Sequence, residues 1–380
     1  MERIYLDYAA STPVDKRVLD AMKPYFMDNF GNPGSIHYFG QRAMAAIDKS
    51  RETIAKILGA NFREIVFTSS ATEANNLVIK GSISKSKIKN PKIITSQIEH
   101  ESVIETCKDL EKRGIEVVYV PVSKKGIVDL KTLEKELDER TVLVSIIMAS
   151  NEIGTIQPIK EITDIIKNFK KEKKYPLFHT DAVQAMQFMN LDVMDFGIDA
   201  MTLSSQKIYG PKGAACLYLR NKEMFSGETT GGIQEFNLRA GTENVPAIVG
   251  FAKAAEIIEK NKEAESKRIE ALRNYFWTKL KLAKPNLVLN GDIKKRLPNN
   301  LNIYFPKNYS EDLLIQLDMA GVCVSLGSAC AGRTEEPSYI VQALGFGKDR
   351  AKRSLRITLG RPTKKNQVDK AVKQIINLMK

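Results

Sequence analysis

Two residues that suit one chemistry stand at the ends of neighbouring apolar runs. Asp181 closes the run 177–180, and Lys207 follows the run 200–203 after Ser204, Ser205 and Gln206. Short apolar runs of this kind predict strands, and the C-terminal edge of strands in an open α/β sheet is where ligands bind. Beyond Lys207, Gly210, Pro211 and Gly213 predict a turn that leaves the lysine on a loop. A lysine beside partly buried strands loses its proton readily and forms Schiff bases, and a nearby carboxylate suits a pyridinium nitrogen. That is the logic of a pyridoxal phosphate site. Taken alone, the pair also reads as a helix-capping aspartate and a solvated loop lysine, so other motifs must decide.

Four further places carry suitable groups. The predicted strand 65–68 enters Ser69, Ser70, Ala71 and Thr72 before a helix, and the first N–H groups of such a helix either bind an anion such as phosphate or serve an ordinary cap. His100 follows the strand 93–96, where an imidazole can stack on an aromatic ligand and exchange protons, or be structural. Cys330 lies among small residues in the stretch 324–337, which predicts an exposed loop. Arg333 close by favours the reactive thiolate, though a small loop residue is the plainer reading. Arg356 interrupts the apolar run 354–359, and a guanidinium there needs a carboxylate from a neighbour or a substrate.

The 380-residue chain is long enough for a large core and two domains. Its 43% apolar and 27% charged residues fit a globular enzyme. No apolar run reaches the roughly 18 residues a membrane helix needs, and the first residues lack a signal-peptide core, so a cytoplasmic protein without membrane partners is expected. Four cysteines without a CxxC pair predict reduced thiols and no metal site. The charge of +13 allows an RNA or acidic partner, but the lysines are scattered and no basic stripe interleaves with aromatics. No direct nucleic-acid contact is expected.

The elements that must position these groups alternate between strand and helix from residue 64 to 219, which predicts a mostly parallel, doubly wound sheet with helices on both faces. A helix is expected over 16–30 and another over 41–58. Residues 227–244 read as a glycine-rich irregular loop, long enough to cross to another subunit or over a site. A long helix over 247–282 follows, and residues 300–380 read as a smaller α+β domain. Ser150 and Asn151 supply more polar groups, at the end of the strand expected over 141–149.

The order of motifs resembles the cysteine desulfurases, pyridoxal phosphate enzymes of fold type I within the class V aminotransferase family. The resemblance rests on LDYAASTP at 6–13, GNPGSIH at 31–37, SSATEANN at 69–76, EHES at 99–102, ASNEIGT at 149–155 and HTDAVQ at 179–184. It continues through QKIYGPKG at 206–213, RAGTEN at 239–244, GSAC at 327–330, EPSY at 336–339 and LRITLGR at 355–361. It covers nearly the whole chain. It implies a large cofactor domain over 13–250 with a mostly parallel seven-stranded sheet, and a small α+β domain from 1–12 and 251–380 that carries the cysteine loop.

The resemblance also implies roles. Lys207 holds pyridoxal 5'-phosphate and moves the substrate Cα proton, His100 stacks on the ring, Asp181 pairs with its nitrogen and Gln184 with its phenolic oxygen. Ala71, Thr72, Ser204 and Gln206 hold the phosphate, with Thr242 reaching in from the partner of a homodimer. Asn151 and Arg356 bind the carboxylate of L-cysteine. The Cys330 thiolate takes the sulfur as a persulfide, leaving alanine, and passes it to an acceptor such as an iron–sulfur scaffold or a tRNA-thiolation enzyme. The spacing from Cys330 to Glu336 matches the branch with a long cysteine loop. One departure is Gln206, where the family usually has histidine: an amide still donates to phosphate but supplies no acid–base function. The alternatives are a selenocysteine lyase or other class V enzyme, and a non-catalytic regulatory subunit.

Overall fold

The computed structural model describes residues 3–327 and 337–379. In chain order the strands are β1 (Ile4–Tyr5), β2 (Ile65–Thr68), β3 (Lys92–Ser96), β4 (Glu116–Val120), β5 (Thr141–Ser145) and β6 (Leu177–Asp181). They continue with β7 (Ala200–Ser204), β8 (Ala215–Leu219), β9 (Val288–Leu289), β10 (Asn300–Tyr304), β11 (Val322–Cys323) and β12 (Ser354–Thr358). Strands β2 to β8 form one seven-stranded sheet in the order β2-β8-β7-β6-β5-β3-β4. All its pairs are parallel except those made by β8, which runs antiparallel to both β7 and β2. This is the mostly parallel seven-stranded α/β sheet that the resemblance implies.

Both faces of the sheet are buried, and the two-residue period of a strand shows which residue faces which core. In β8, Cys216 and Tyr218 join one apolar cluster and Leu217 and Leu219 the other. Helices Tyr38–Leu58 and Ile159–Lys170 cover the first face; Ala71–Lys85 and Glu101–Lys112 cover the second. A separate core gathers β10, β12 and the final helix Lys365–Leu378. The helix Val245–Ala283 serves both. Ile248, Phe251 and Ile258 pack in the first core, and Ile269, Phe276 and Leu280 in the second.

Two expectations change. The helix expected over 16–30 is two pieces, Lys16–Met22 and Pro24–Met27, because proline has no N–H to donate and its ring crowds the preceding turn. The stretch 227–244 is anchored where the sequence suggests only a loop. Glu235, Phe236 and Asn237 have φ of 43°, 59° and 64°, a left-handed run that costs free energy for non-glycine residues. Holding it is the buried Glu235 carboxylate, which accepts two 2.7 Å bonds from Arg51 and one of 2.8 Å from Phe67 N–H. A bidentate guanidinium–carboxylate pair is among the strongest polar contacts available to a core.

Candidate active site

The C-terminal edge of the sheet opens into a cavity of about 220 Å³ where the predicted groups meet: Lys207, Asp181, His100, Gln184, Asn151 and Arg356. The cap of helix Ala71–Lys85 forms another wall with Ser70, Ala71 and Thr72, and Ser204 and Gln206 also line it. The chain closes the cavity from an unexpected side. Its N-terminal segment follows β1, crosses to the sheet edge and contributes Ala9 and Ala10.

Lys207 ends a short 3-10 turn directly after β7, because Gly210 and Pro211 turn the chain back into the antiparallel β8. Its Nζ donates to the Ala10 carbonyl at 2.5 Å. The turn is tied to the same segment, since Thr12 donates to the Gln206 carbonyl through its N–H at 3.1 Å and its Oγ1 at 2.9 Å. Gln184 Nε2 donates to the Ala9 carbonyl at 3.0 Å. Consecutive carbonyls therefore orient the lysine and the glutamine.

Asp181 terminates β6 and is buried. Its Oδ1 accepts from Val183 N–H at 3.0 Å and its Oδ2 from Asn75 Nδ2 at 2.9 Å. Asn75 also donates to Ser102 Oγ at 2.8 Å, and Ser102 Oγ lies 2.9 Å from His100 Nδ1. One chain of hydrogen bonds thus joins the carboxylate to the imidazole through Asn75, which the sequence does not single out. Burial pushes the His100 pKa down, Asp181 opposes this, and Lys207 and Arg356 push it further down. The surroundings thus favour the neutral ring.

Arg356 sits in the middle of β12 and is 1% exposed. It donates to Asp7 Oδ1 at 2.8 Å and to the Asn151 carbonyl at 3.1 Å. Asp7 was not foreseen as its partner. The Nε of Arg356 and the Oδ1 of Asn151 are both buried without a hydrogen bond, which is costly unless something polar joins them. A ligand bearing a carboxylate suits the guanidinium, and the Asn151 amide can turn its donor toward the same group.

The helix start suits a second anion. Ser70 Oγ accepts from Glu73 N–H at 3.1 Å, while the N–H groups of Ala71 and Thr72 are among those a helix cannot satisfy internally. An N-terminal positive pole, hydroxyls and an amide around one corner make a phosphate cradle. Amine, buried carboxylate, neutral imidazole and cradle together fit pyridoxal 5'-phosphate.

A protein-family model, aminotransferase class-V, matches residues 4–371. The chain belongs to this family. Within the family, a protein called cysteine desulfurase IscS from Dictyoglomus turgidum is 45% identical, the match covering 96% of this chain and 92% of that one. Among solved structures, a NifS-like protein superposes with a TM-score of 0.92 at 36% identity over 99% of each chain. Another, described as SspA in complex with cysteine, does so with a TM-score of 0.81 at 35% identity over 93% of this chain and 98% of that one. Class V membership agrees with a lysine placed at the edge of a parallel sheet.

Thr242 is exposed and not part of the cavity wall. Cys330 lies outside the described residues. Burial raises the thiol pKa of Cys107, to about 12, and of Cys216, and it also raises that of Cys323. None of these three is a ready thiolate.

Proposed function

We propose that this chain is a pyridoxal phosphate-dependent cysteine desulfurase that converts L-cysteine to L-alanine and takes the sulfur on Cys330 as a persulfide. The observation that carries the reading is the meeting of Lys207, Asp181 and an anion cradle in one cavity with Arg356 and Asn151. The full-length similarity to proteins named cysteine desulfurase supports it.

Asp181 would hold the ring nitrogen, Gln184 the phenolic oxygen, and Ala71, Thr72, Ser204 and Gln206 the phosphate, with Thr242 of a second copy completing the cradle in a homodimer. When bound, pyridoxal 5'-phosphate supplies the electron sink for bond cleavage at the substrate. Arg356 and Asn151 grip the substrate carboxylate and so orient its Cα toward Lys207, whose Nζ moves the Cα proton. His100, tied to Asp181 through Asn75 and Ser102, would stack on the ring and assist proton transfer. The Cys330 thiolate attacks the substrate sulfur. An S–S bond forms, the Cβ–S electron pair stays with carbon, and protonation there gives alanine. The persulfide sulfur passes to an acceptor protein for iron–sulfur cluster assembly or tRNA thiolation. The site of action is the cytoplasm; among the described residues no helix is long and apolar enough to cross a membrane.

The test is the visible absorbance of the protein purified with pyridoxal 5'-phosphate, then alanine and sulfide formed from L-cysteine with a reductant. Wild type forms both. Lys207→Ala loses the lysine-dependent band and both products, and Cys330→Ala keeps the band without sulfide. Alanine formed at the wild-type rate by Cys330→Ala would overturn the desulfurase reading in favour of a lyase, and absence of bound cofactor would favour a regulatory subunit.

A further inference from the structure

Glu152 follows Asn151, is fully buried, and has no part in the chemistry above. A buried carboxyl group is costly unless its oxygens are well used. Its backbone is fixed from β10: the Glu152 carbonyl accepts from Asn300 Nδ2 at 3.1 Å and Asn302 Nδ2 at 3.3 Å. Its side chain is fixed from elsewhere. Oε2 accepts from Ser338 Oγ at 2.5 Å. Gly327 lies against the same carboxyl group, so closely that a Cβ there would stand 3.0 Å from Oε2.

Gly327 and Ser338 flank the part of the sequence that contains Cys330. Both flanks are tied to the cavity a second time. Ser325 exchanges backbone hydrogen bonds with Arg356, at 3.1 and 2.8 Å. Tyr339 donates its hydroxyl to the Glu99 carbonyl at 2.5 Å, next to His100. One carboxyl group therefore joins the two flanks to each other and, through Asn151, to the place where the substrate carboxylate is held.

We propose that Glu152 is a positioning residue for sulfur transfer. By binding Ser338 and abutting Gly327, it sets where the segment bearing Cys330 leaves and rejoins the protein relative to Asn151 and Arg356. It thereby sets the approach of the thiol to the substrate sulfur. The proposal rests on the desulfurase reading. A reacting pair depends steeply on placement, so loosening both flanks slows the transfer while leaving cofactor and substrate binding in place.

The experiment compares holoenzymes of wild type, Glu152→Leu, Glu152→Gln, Ser338→Ala and Gly327→Ala. It records the cofactor absorbance change on mixing with L-cysteine, the single-turnover rate of alanine formation, KM and the unfolding midpoint. Glu152→Leu keeps the absorbance change and KM within about threefold and loses about tenfold or more in alanine formation, in line with a displaced nucleophile. Glu152→Gln, which still offers an oxygen to Ser338, recovers most of the rate. Adding Ser338→Ala to Glu152→Leu slows alanine formation no further, because the Glu152–Ser338 contact is already gone; the added loss of the Ser338 Oγ cap on Val341 N–H, at 3.1 Å, is read in the unfolding midpoint. Ser338→Ala and Gly327→Ala alone show the same split, and they carry the test if Glu152→Leu does not fold. Alanine formation at the wild-type rate in all variants would overturn the proposal, as would absorbance change, KM and unfolding midpoint falling together with the rate. If wild type makes no alanine from L-cysteine, the desulfurase reading itself has failed.

Discussion

Replacing Glu99 by Gln stabilises this protein, and does so more as pH rises. Glu99 is completely buried beside the site; its Oε1 accepts from Ser96 Oγ and from Ile147 N–H at 2.9 Å, while Oε2 has no hydrogen bond. Burial, reinforced by the negative charge of Asp181, raises its pKa from 4.5 to about 8. The fold therefore keeps a proton that the unfolded chain gives up above pH 4.5. In that window the native state binds more protons than the unfolded state, so stability falls as pH rises toward 8. Each pH unit within the window costs up to about 1.4 kcal/mol, which makes about 3 kcal/mol at pH 7. Glutamine has nearly the same shape, keeps an oxygen for Ser96 and Ile147, and has no proton to lose. Urea unfolding, followed by fluorescence of the single tryptophan at fixed protein and cofactor concentration, measures the difference. Near pH 4.5 the variant and wild type agree within about 1 kcal/mol, and near pH 7 the variant leads by about 3 kcal/mol. A difference that stays constant with pH, or that favours wild type at pH 7, refutes the reasoning.

Arg51→Ala leaves the Glu235 carboxylate buried with only the Phe67 N–H and lowers unfolding stability by about 3–5 kcal/mol, read from the urea midpoint. Gly360→Ala would place a Cβ 2.3 Å from the Tyr8 ring. Displacing Tyr8 shifts Ala9 and Ala10, whose carbonyls hold Gln184 and Lys207, so cofactor affinity in an absorbance titration falls about tenfold, with an overpacking cost of about 1–3 kcal/mol in stability. Asp181→Asn keeps the shape but removes the charge that the proposed function sets against the ring nitrogen. Steady-state alanine formation falls about 100-fold or more while Lys207 still gives the cofactor band; turnover near the wild-type rate would refute the assignment of Asp181.

The parallel sheet and the wall of the site were legible in the sequence for a local reason. A strand that runs into polar residues at its C-terminal end places those residues on the sheet edge whatever the rest of the chain does, and Asp181, Ser204 and Lys207 follow that pattern, whereas Asn151 reaches the edge only after the apolar stretch 146–149 beyond β5. His100 and Arg356 stand out by residue type and position, and the family resemblance adds Gln184. The alternation of apolar residues that buries both faces, as in β8, is equally a property of the strand itself.

What the tertiary structure decided are the partners that hold those groups in place, because they come from far along the chain. Asn75 joins Asp181 to His100 through Ser102. Ala10 orients Lys207 from 197 residues away, and Asp7 meets Arg356 across 349. Neither composition nor period encodes such pairs, since a backbone carbonyl has no residue type and a surface-like aspartate has no mark of burial. The same holds for Glu152, which reads as one more polar residue after a strand. Only when the chain folds back do Gly327 and Ser338 arrive at its carboxyl group. Residue types along the chain fix which chemistry is available; which oxygen and which nitrogen each group faces depends on the fold, because those contacts exist only after distant segments pack against one another.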